Sequence, residues 1–282
     1  MTIVVTGAAG QLGREMCRLL DVRKPLGVNS NELDITDFDA VSQSLRAAKA
    51  SLVINCAAYT QVDVAEEDAE EAFRVNALGP RNLAIATHEL GVPLVQVSTD
   101  YVFDGTAGRP YHEYDTPCPA SVYGASKLAG EQAVATLNPR HYIARTAWLY
   151  DDDGGNFPNT MLNLADRDEV RVVHDQHGSP TYVPHLAVAI AALMESGAYG
   201  VWHLAGNGEA TWYELTRTLY AALDIVTPVV PVTTEEFPRP AARPAYSVLH
   251  SMQSPRIKLP EWQVGLEEFA RKKRARAASN AA

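Results

Sequence analysis

The sequence predicts an α/β protein built on a doubly wound parallel sheet, and three observations carry this prediction. Short β-branched runs alternate with longer segments of helical periodicity, as in βαβ units. The first of these runs leads directly into a glycine-rich turn and a helix. The 282-residue chain, 46% hydrophobic and 21% charged, has the length and composition to bury a large core.

Four apolar runs are predicted as strands of the sheet, and four segments with apolar residues at helical spacing are predicted as helices. The strands cover residues 3–5, 52–54, 94–97 and 142–144. The helices cover residues 11–20, 65–75, 80–89 and 125–135. Right-handed crossovers bring the carboxyl ends of the strands to one edge of the sheet, so functional side chains are expected to follow strands.

The pattern becomes less regular after about residue 150, where a polar loop begins, and a smaller second lobe is expected there. Residues 1–150, together with about 170–205, are expected to form the nucleotide-binding domain, with strands at 171–173 and 201–204. Residues 151–169 and 206–282 are expected to form mainly a substrate-binding lobe, so the two lobes interleave in sequence. The basic run at 271–276 is expected to end a helix that frays into a disordered tail.

Charge and cysteine content exclude several classes of protein. A net charge of −10 opposes binding to nucleic acid or to an anionic membrane. Three cysteines, Cys17, Cys56 and Cys118, form no CxxC pair and support neither a disulfide framework nor a zinc ribbon. The first residues carry no basic leader, and the longest apolar run is too short to span a bilayer. The expectation is a cytoplasmic protein.

A glycine pattern follows the first predicted strand and opens the first helix. Gly7, Gly10 and Gly13 stand at the spacing that permits a tight turn, a close backbone approach to a pyrophosphate and close packing of helix on strand. The free N–H groups at the helix N-terminus favour phosphate. The pattern therefore predicts a Rossmann-type dinucleotide site. Asn29, at the expected end of the second strand, is neutral and leaves the choice between NADH and NADPH open.

A tyrosine and a lysine stand four residues apart at the start of a predicted helix. Tyr123 and Lys127 therefore share one helix face. A neighbouring ammonium is expected to lower the phenol pKa from its usual value of about 10 and so tune Tyr123 for proton transfer. Thr99 ends a predicted strand in the same crevice, where its hydroxyl can hold a carbonyl oxygen.

These motifs together resemble the extended short-chain dehydrogenase/reductase family, and within it the dTDP-4-dehydrorhamnose reductases. The matching stretches run through nearly the whole chain in order. They include the glycine turn, NCAAYT at 55–60, Asn76, VSTDYVFDG at 97–105, VYGASKLAGE at 122–131, RTAWLY at 145–150 and DQHGSPT at 175–181.

The resemblance implies reduction of the C4 ketone of dTDP-4-dehydro-6-deoxy-L-mannose to dTDP-L-rhamnose, with hydride from NADPH or NADH and a proton from Tyr123. It implies a set of site residues. Catalysis would fall to Thr99, Tyr123 and Lys127, cofactor binding to Gly7, Gly10, Gln11, Leu12, Gly13, Asn29, Asp34, Ile35, Ala58, Tyr59, Thr60, Tyr123 and Lys127, and substrate binding to Thr99, Asp100, Trp148 and Arg243.

Two alternatives remain open: a reductase, epimerase or dehydratase acting on another nucleotide-linked deoxysugar, and a non-catalytic NAD(P)-binding regulatory subunit. Fold alone does not separate them. Some family members bind Mg²⁺ at a dimer interface, and Glu15 matches one ligand. His185 stands where a second acid is expected, and a hard cation prefers oxygen, so no metal is predicted. A monomer or a homodimer is compatible with the sequence.

Overall fold

The computed structural model describes residues 2–281. The strands are β1 (Thr2–Thr6), β2 (Leu26–Val28), β3 (Ala50–Asn55), β4 (Leu94–Thr99), β5 (His141–Thr146), β6 (Leu149–Tyr150), β7 (Val170–Val173), β8 (His177–Gly178), β9 (Thr181–Tyr182), β10 (Gly200–His203), β11 (Ala210–Thr211) and β12 (Val229–Val232). The helices are α1 (Gln11–Leu19), α2 (Phe38–Ala47), α3 (Ala69–Phe73), α4 (Gly79–Glu89), α5 (Val122–Leu137), α6 (Phe157–Asn163), α7 (Val183–Ser196), α8 (Trp212–Ala222) and α9 (Trp262–Ala281). Within residues 2–281, no helix combines the length and apolarity that a bilayer crossing requires.

The central sheet has six parallel strands in the order β2-β1-β3-β4-β5-β10. From β1 the chain passes outward to β2 on one side and then returns to β3 on the other. The strand order therefore reverses beside β1, and the carboxyl ends open there into the crevice where this fold binds its ligands. The predicted doubly wound parallel sheet is confirmed.

Both faces of the sheet are buried, and for that reason its strands are apolar without alternation. Val5 and Ile54 face one cluster, which includes α1 and α7, whereas Val4 and Val53 face the other, which includes α2, α4 and α5. All four valine and isoleucine side chains are fully buried. This two-sided packing fixes the strand register and with it the positions of the strand ends.

A second core forms the smaller lobe. Its buried side chains come from β7, α8 and α9, among other elements. The expectation that residues from about 170 onward join the nucleotide domain needs a correction, because β7 pairs with β12 in this lobe. α7 and β10 pack in the central domain.

The C-terminal basic run does not fray within the described residues. α9 continues to Ala281. Lys272 Nζ lies 2.8 Å from Asp152 Oδ2, and Arg276 contacts Asp153 at 2.5 Å. The acidic loop that follows β6 therefore supplies partners for the basic run.

One predicted helix is interrupted. Residues 65–75 divide into a 3₁₀ turn at Val64–Glu66, α3 and a π-helical turn at Arg74–Leu78, which runs on into α4. Asn76 lies in the π turn, and its side chain bonds to groups outside the helix. Such widened turns are frequent where a helix presents a side chain to a site.

Candidate active site

A cavity of about 650 Å³ opens at the carboxyl ends of β1, β3, β4 and β5. Both lobes contribute to its wall. The lining residues are Gly10, Gln11, Leu12, Gly13, Arg14, Cys56, Ala57, Ala58, Thr60, Val62, Val97, Ser98, Thr99, Asp100, Tyr101, Tyr123, Lys127, Thr146, Ala147, Trp148, Leu149, Gly154, Gly155 and Trp212. The volume suits a small-molecule ligand.

The glycine turn forms one end of this cavity. Gly7 has φ +68°, and a Cβ there would stand 2.5 Å from the Ala57 nitrogen. A Cβ on Gly13 would stand 2.2 Å from the Gly7 carbonyl oxygen, so both positions require glycine. Gly10 differs, since only the Gly7 oxygen, at 3.3 Å, lies within 4 Å of its Cβ position. Gly10 therefore leaves open space in front of the helix.

The N-terminus of α1 faces that open space. Gly10 is its N-cap and has no side chain to bond the first N–H groups. Free N–H groups and the positive end of the helix dipole attract a phosphate. The shape of the turn and its unsatisfied donors thus fit the diphosphate of a dinucleotide cofactor.

A row of buried polar side chains joins three neighbouring strands, β1, β3 and β4, behind the cavity. Thr6 Oγ1 donates to Asn55 Oδ1 at 2.6 Å, and Asn55 Nδ2 donates to Gln96 Oε1 at 2.7 Å. Asn55 Oδ1 also accepts from the Ala57 N–H at 3.1 Å. This network fixes the chain as it leaves β3, where Ala58 and Thr60 reach the cavity wall.

Asn76 connects that same loop to α5. Its Oδ1 accepts from the Tyr59 N–H at 2.9 Å, and its Nδ2 donates to the Tyr59 carbonyl at 3.0 Å and to Ser126 Oγ at 3.0 Å. Ser126 in turn donates to the Tyr123 carbonyl at 2.8 Å. The amide of Asn76 therefore positions the first turn of the helix that carries Tyr123 and Lys127.

Lys127 is buried beside the strand ends. Its side chain is 4% exposed, and its Nζ donates to the Val97 carbonyl oxygen at 2.7 Å. Burial lowers the pKa of the ammonium to about 8, against the opposing attraction of Glu131. Lys127 thus remains mostly charged at neutral pH, because its pKa is still above 7.

Tyr123 lies on the same helix face, and its ring packs edge-on against Tyr101 with centroids 5.5 Å apart. Burial raises the pKa of the Tyr123 phenol to about 12, with the Thr99 hydroxyl opposing the shift. This direction corrects the expectation that Lys127 lowers the Tyr123 pKa. The Lys127 ammonium bonds to a backbone carbonyl, and desolvation of the phenol is the dominant effect.

Thr99 ends β4 and Asp100 begins the 3₁₀ turn that follows, and both line the cavity. Thr99 Oγ1 donates to Asp100 Oδ1 at 3.0 Å and accepts from the Tyr101 N–H at 3.2 Å. Asp100 Oδ2 accepts from Ser247 Oγ at 2.6 Å. Ser247 belongs to the long connection between β12 and α9, so this bond joins the two lobes.

Trp148 has strained backbone, with φ +47° in the left-handed region that bulky residues rarely adopt. Its indole stacks on Trp212 with centroids 3.4 Å apart and an interplanar angle of 6°. A Cβ on Gly178 would stand 2.3 Å from the Trp148 ring. The packing therefore holds Trp148 as a flat wall of the cavity.

A second cavity, of about 500 Å³, adjoins the first, since Tyr101 and Trp212 line both. Its remaining lining comes mostly from the smaller lobe and contains three arginines, Arg171, Arg239 and Arg243. Arg243, predicted to contact substrate, lies here. Its Nη2 donates to Asp63 Oδ1 at 2.9 Å, and the same oxygen accepts from the Ala241 N–H at 3.2 Å.

Five predicted cofactor residues lie outside the lining of the first cavity. Asn29 Oδ1 accepts from the Asn31 N–H at 2.9 Å, and Asp34 Oδ1 accepts from the Thr36 N–H at 2.9 Å. Ile35 is buried beneath α4, and Tyr59 is held by Asn76 through its backbone. Gly7 lies beneath the turn and shapes it without lining the cavity.

The two positions considered for a metal have other partners. Arg18 donates to both carboxylate oxygens of Glu15, at 2.7 and 2.5 Å, and His185 Nε2 lies 3.2 Å from Glu268 Oε1. No cluster of three His, Cys, Asp or Glu side chains suited to a metal occurs in residues 2–281.

Sequence reasoning did not find Trp212, Asp63 or Arg171. Trp212 is the first residue of a helix far along the chain from Trp148, and Asp63 lies in a strongly acidic segment. No local pattern distinguishes these residues from ordinary core or surface positions. Their proximity to the site follows only from the packing of the second lobe.

Comparison with known proteins places these features in a family. The family model described as the RmlD substrate binding domain matches residues 1–275. A dTDP-4-dehydrorhamnose reductase of Streptomyces griseus is 44% identical over 256 residues, covering 87% of this chain and 84% of the relative. A dTDP-4-keto-6-deoxy-D-glucose reductase of Streptomyces niveus is 43% identical over 251 residues, covering 87% of each.

A solved structure is similar over almost its whole length. It is the dTDP-4-dehydrorhamnose reductase of Bacillus anthracis str. Ames in complex with NADP, with a TM-score of 0.94 and 40% sequence identity. The match covers 96% of this chain and 100% of that chain.

Proposed function

The chain belongs to the RmlD substrate binding domain family, and from this premise we propose that it is a dTDP-4-dehydrorhamnose reductase. The reaction is the NADPH-dependent reduction of the C4 ketone of dTDP-4-dehydrorhamnose to give dTDP-L-rhamnose. One observation supports this most strongly: Thr99, Tyr123 and Lys127 line the same cavity as the glycine turn, in a chain 44% identical to a reductase of that name.

The cofactor, when bound, supplies the hydride. The glycine turn and the uncapped N-terminus of α1 would hold its diphosphate. Lys127, buried at the cavity beside Val97, would hold its ribose. Asn29, which follows β2, is neutral, and its N–H donates to Glu32 Oε2 at 2.8 Å. The B. anthracis relative contains NADP. NADPH is therefore the proposed cofactor.

Tyr123 is the proposed proton donor. With a pKa raised to about 12, its phenol keeps its proton throughout the neutral range. Reduction of a ketone generates an alkoxide, which is a much stronger base and takes that proton. Thr99, beside Tyr123, holds the same oxygen by a hydrogen bond when its hydroxyl proton is free to donate.

The second lobe is proposed to bind the sugar nucleotide. Three guanidinium groups in the adjoining cavity suit a diphosphate, which arginine binds through paired hydrogen bonds. Trp148 and Asp100, in the lining of the first cavity, then contact the sugar. We accordingly propose residues 1–150 with 183–203 as the cofactor-binding domain and the remaining residues as mainly substrate-binding.

One alternative is supported by a specific observation. The S. niveus relative, a dTDP-4-keto-6-deoxy-D-glucose reductase, is almost as similar as the S. griseus enzyme. Reduction of a different dTDP-linked 4-keto-6-deoxyhexose is therefore the second candidate. The two substrates differ in ring stereochemistry, and both would use the same catalytic groups.

A coupled assay tests the proposal. dTDP-glucose is converted by a 4,6-dehydratase, with or without a 3,5-epimerase, and this protein is added with NADPH or NADH. Cofactor oxidation that needs the epimerase, with dTDP-L-rhamnose identified by NMR, is the expected result. Oxidation without the epimerase supports the alternative, and no oxidation with either substrate contradicts both.

A further inference from the structure

The Thr99 hydroxyl carries a single proton, and the structure shows where that proton is held. Thr99 Oγ1 lies 3.0 Å from Asp100 Oδ1 and accepts a hydrogen bond from the Tyr101 N–H. An ionised carboxylate only accepts hydrogen bonds, so Thr99 must be the donor in this pair. While Asp100 is charged, the Thr99 proton is therefore directed away from any carbonyl oxygen in the cavity.

Asp100 is a buried carboxylate with hydrogen bonds but no counter-ion. Its exposed fraction is 1%, and within residues 2–281 no lysine, arginine or histidine forms an ion pair with it. Its second oxygen accepts from Ser247 Oγ at 2.6 Å, and Ser247 is itself 2% exposed. Burial without a cation makes the charged form costly, and two hydroxyl donors offset part of that cost.

We propose that Asp100 is a positioning residue that sets the direction of its hydrogen bond with Thr99, and that Ser247 controls this through the opposite carboxylate oxygen. The proposal rests on the proposed ketone reduction. When a solvent proton binds Asp100 Oδ1, the carboxyl donates to Thr99 Oγ1, and the Thr99 proton becomes free to donate to the ketone oxygen. Protonated Asp100 thus gives two donors at the ketone, Thr99 and Tyr123, and ionised Asp100 leaves one.

The electrostatics place this change near neutral pH. Burial raises the pKa of Asp100 to about 6, against the hydrogen bonds from Ser247 and Thr99. The titratable groups that face Asp100 are the phenols of Tyr101, which follows it, and Tyr123 on α5. Both phenols stay protonated in this range. Lys127 titrates higher, at about 8, so its effect on rate is separable from that of Asp100.

The test is the pH dependence of kcat with saturating NADPH and the coupled substrate. In the wild type, kcat is expected to fall about tenfold as pH rises through the Asp100 pKa, which corresponds to one hydrogen bond to the reacting oxygen. Ser247→Ala removes a donor that favours the charged carboxylate. The pKa of Asp100 then rises, and the midpoint of the fall in kcat moves to a pH about one unit higher.

Three further variants separate this role from a structural one. Thr99→Val and Asp100→Asn should each abolish the fall, because the first lacks the hydroxyl and the second cannot titrate. Ser98→Ala is the matched control: Ser98 Oγ is buried at the same strand end without a partner, and its removal should leave the midpoint unchanged. The proposal is overturned if kcat still falls with rising pH in Thr99→Val, or if the midpoint of the fall in kcat is unchanged in Ser247→Ala.

NMR of the cofactor-free protein labelled with ¹³C at the aspartate carboxyls gives a readout independent of turnover. The resonance missing from Asp100→Asn identifies Asp100, and its midpoint should rise in Ser247→Ala. An Asp100 that stays ionised across the range overturns the proposal even if the enzyme reduces the ketone. If no ketone is reduced at any pH, the proposed function fails, whatever the NMR titration shows.

Discussion

Three ionisable side chains at the cavity share one physical feature, which is that burial favours their neutral forms. The pKa of Lys127 is lowered to about 8, whereas the pKa values of Asp100 and Tyr123 are raised to about 6 and 12. Desolvation is the largest cause in all three cases. The sequence predicted that Tyr123, Lys127 and Thr99 lie close together, and all three line one cavity. The sequence did not predict that the Tyr123 pKa is raised, because the burial of the phenol depends on the surrounding tertiary structure.

The shift at Lys127 has a consequence for stability. Its folded pKa of about 8 lies below the reference value of 10.5, so between these values the unfolded chain binds the extra proton. Stability then rises with pH across this window, by about 3 kcal/mol at most. Urea unfolding of wild type and Lys127→Met from pH 7 to 10.5 should show the wild type gaining stability relative to the variant. If stability changed with pH in the same way in both proteins, the lowered pKa of Lys127 would be contradicted.

At the scale of elements, the central sheet was the most predictable part of the fold. Its strands are buried on both faces, and a short apolar run such as residues 52–54 is typical of a strand of that kind. The run at Val170–Val173 has the same local character but pairs with β12, because the side chains of the second core complete its burial. Partner choice between equivalent strands depends on tertiary packing, which no local pattern records.

The glycine turn offers a matched pair of substitutions. In Gly10→Ala the new methyl group would meet only the Gly7 carbonyl oxygen, at 3.3 Å, so the fold should retain most of its stability while NADPH affinity falls about tenfold or more. In Gly13→Ala the methyl group would meet the Gly7 carbonyl at 2.2 Å, so the melting temperature itself should fall. Thermal melts and NADPH fluorescence titrations distinguish the two effects. Equal loss of stability in both variants would refute this division of roles.

At the scale of the whole molecule, polar contacts beside the cavities are among those that join the two lobes. Asp63, after β3, binds Arg243 and the Ala241 N–H, and Asp100, after β4, binds Ser247. A second lobe interleaved in sequence was predictable from the irregular pattern after residue 150. The individual contacts were not, since Asp63 and Arg243 are separated by 180 residues.

The contact at Asp63 should govern substrate binding more than chemistry. In Asp63→Ala the connection that carries Arg243 loses two hydrogen bonds, so KM for the sugar nucleotide should rise about tenfold while kcat changes little. Glu67→Ala, an exposed acid of the same segment, is the control and should leave KM unchanged. A normal KM in Asp63→Ala would show that the contact has no part in holding the substrate lobe.

The central claim is that the Tyr123 phenol donates the proton that completes ketone reduction. The most direct measurement is the turnover of Tyr123→Phe, paired with its NADPH affinity by fluorescence titration. Loss of the hydroxyl should lower kcat by about 10² to 10⁴, the range for a removed general acid, and leave NADPH affinity nearly unchanged. Wild-type turnover in this variant, with dTDP-L-rhamnose still formed, would contradict the account.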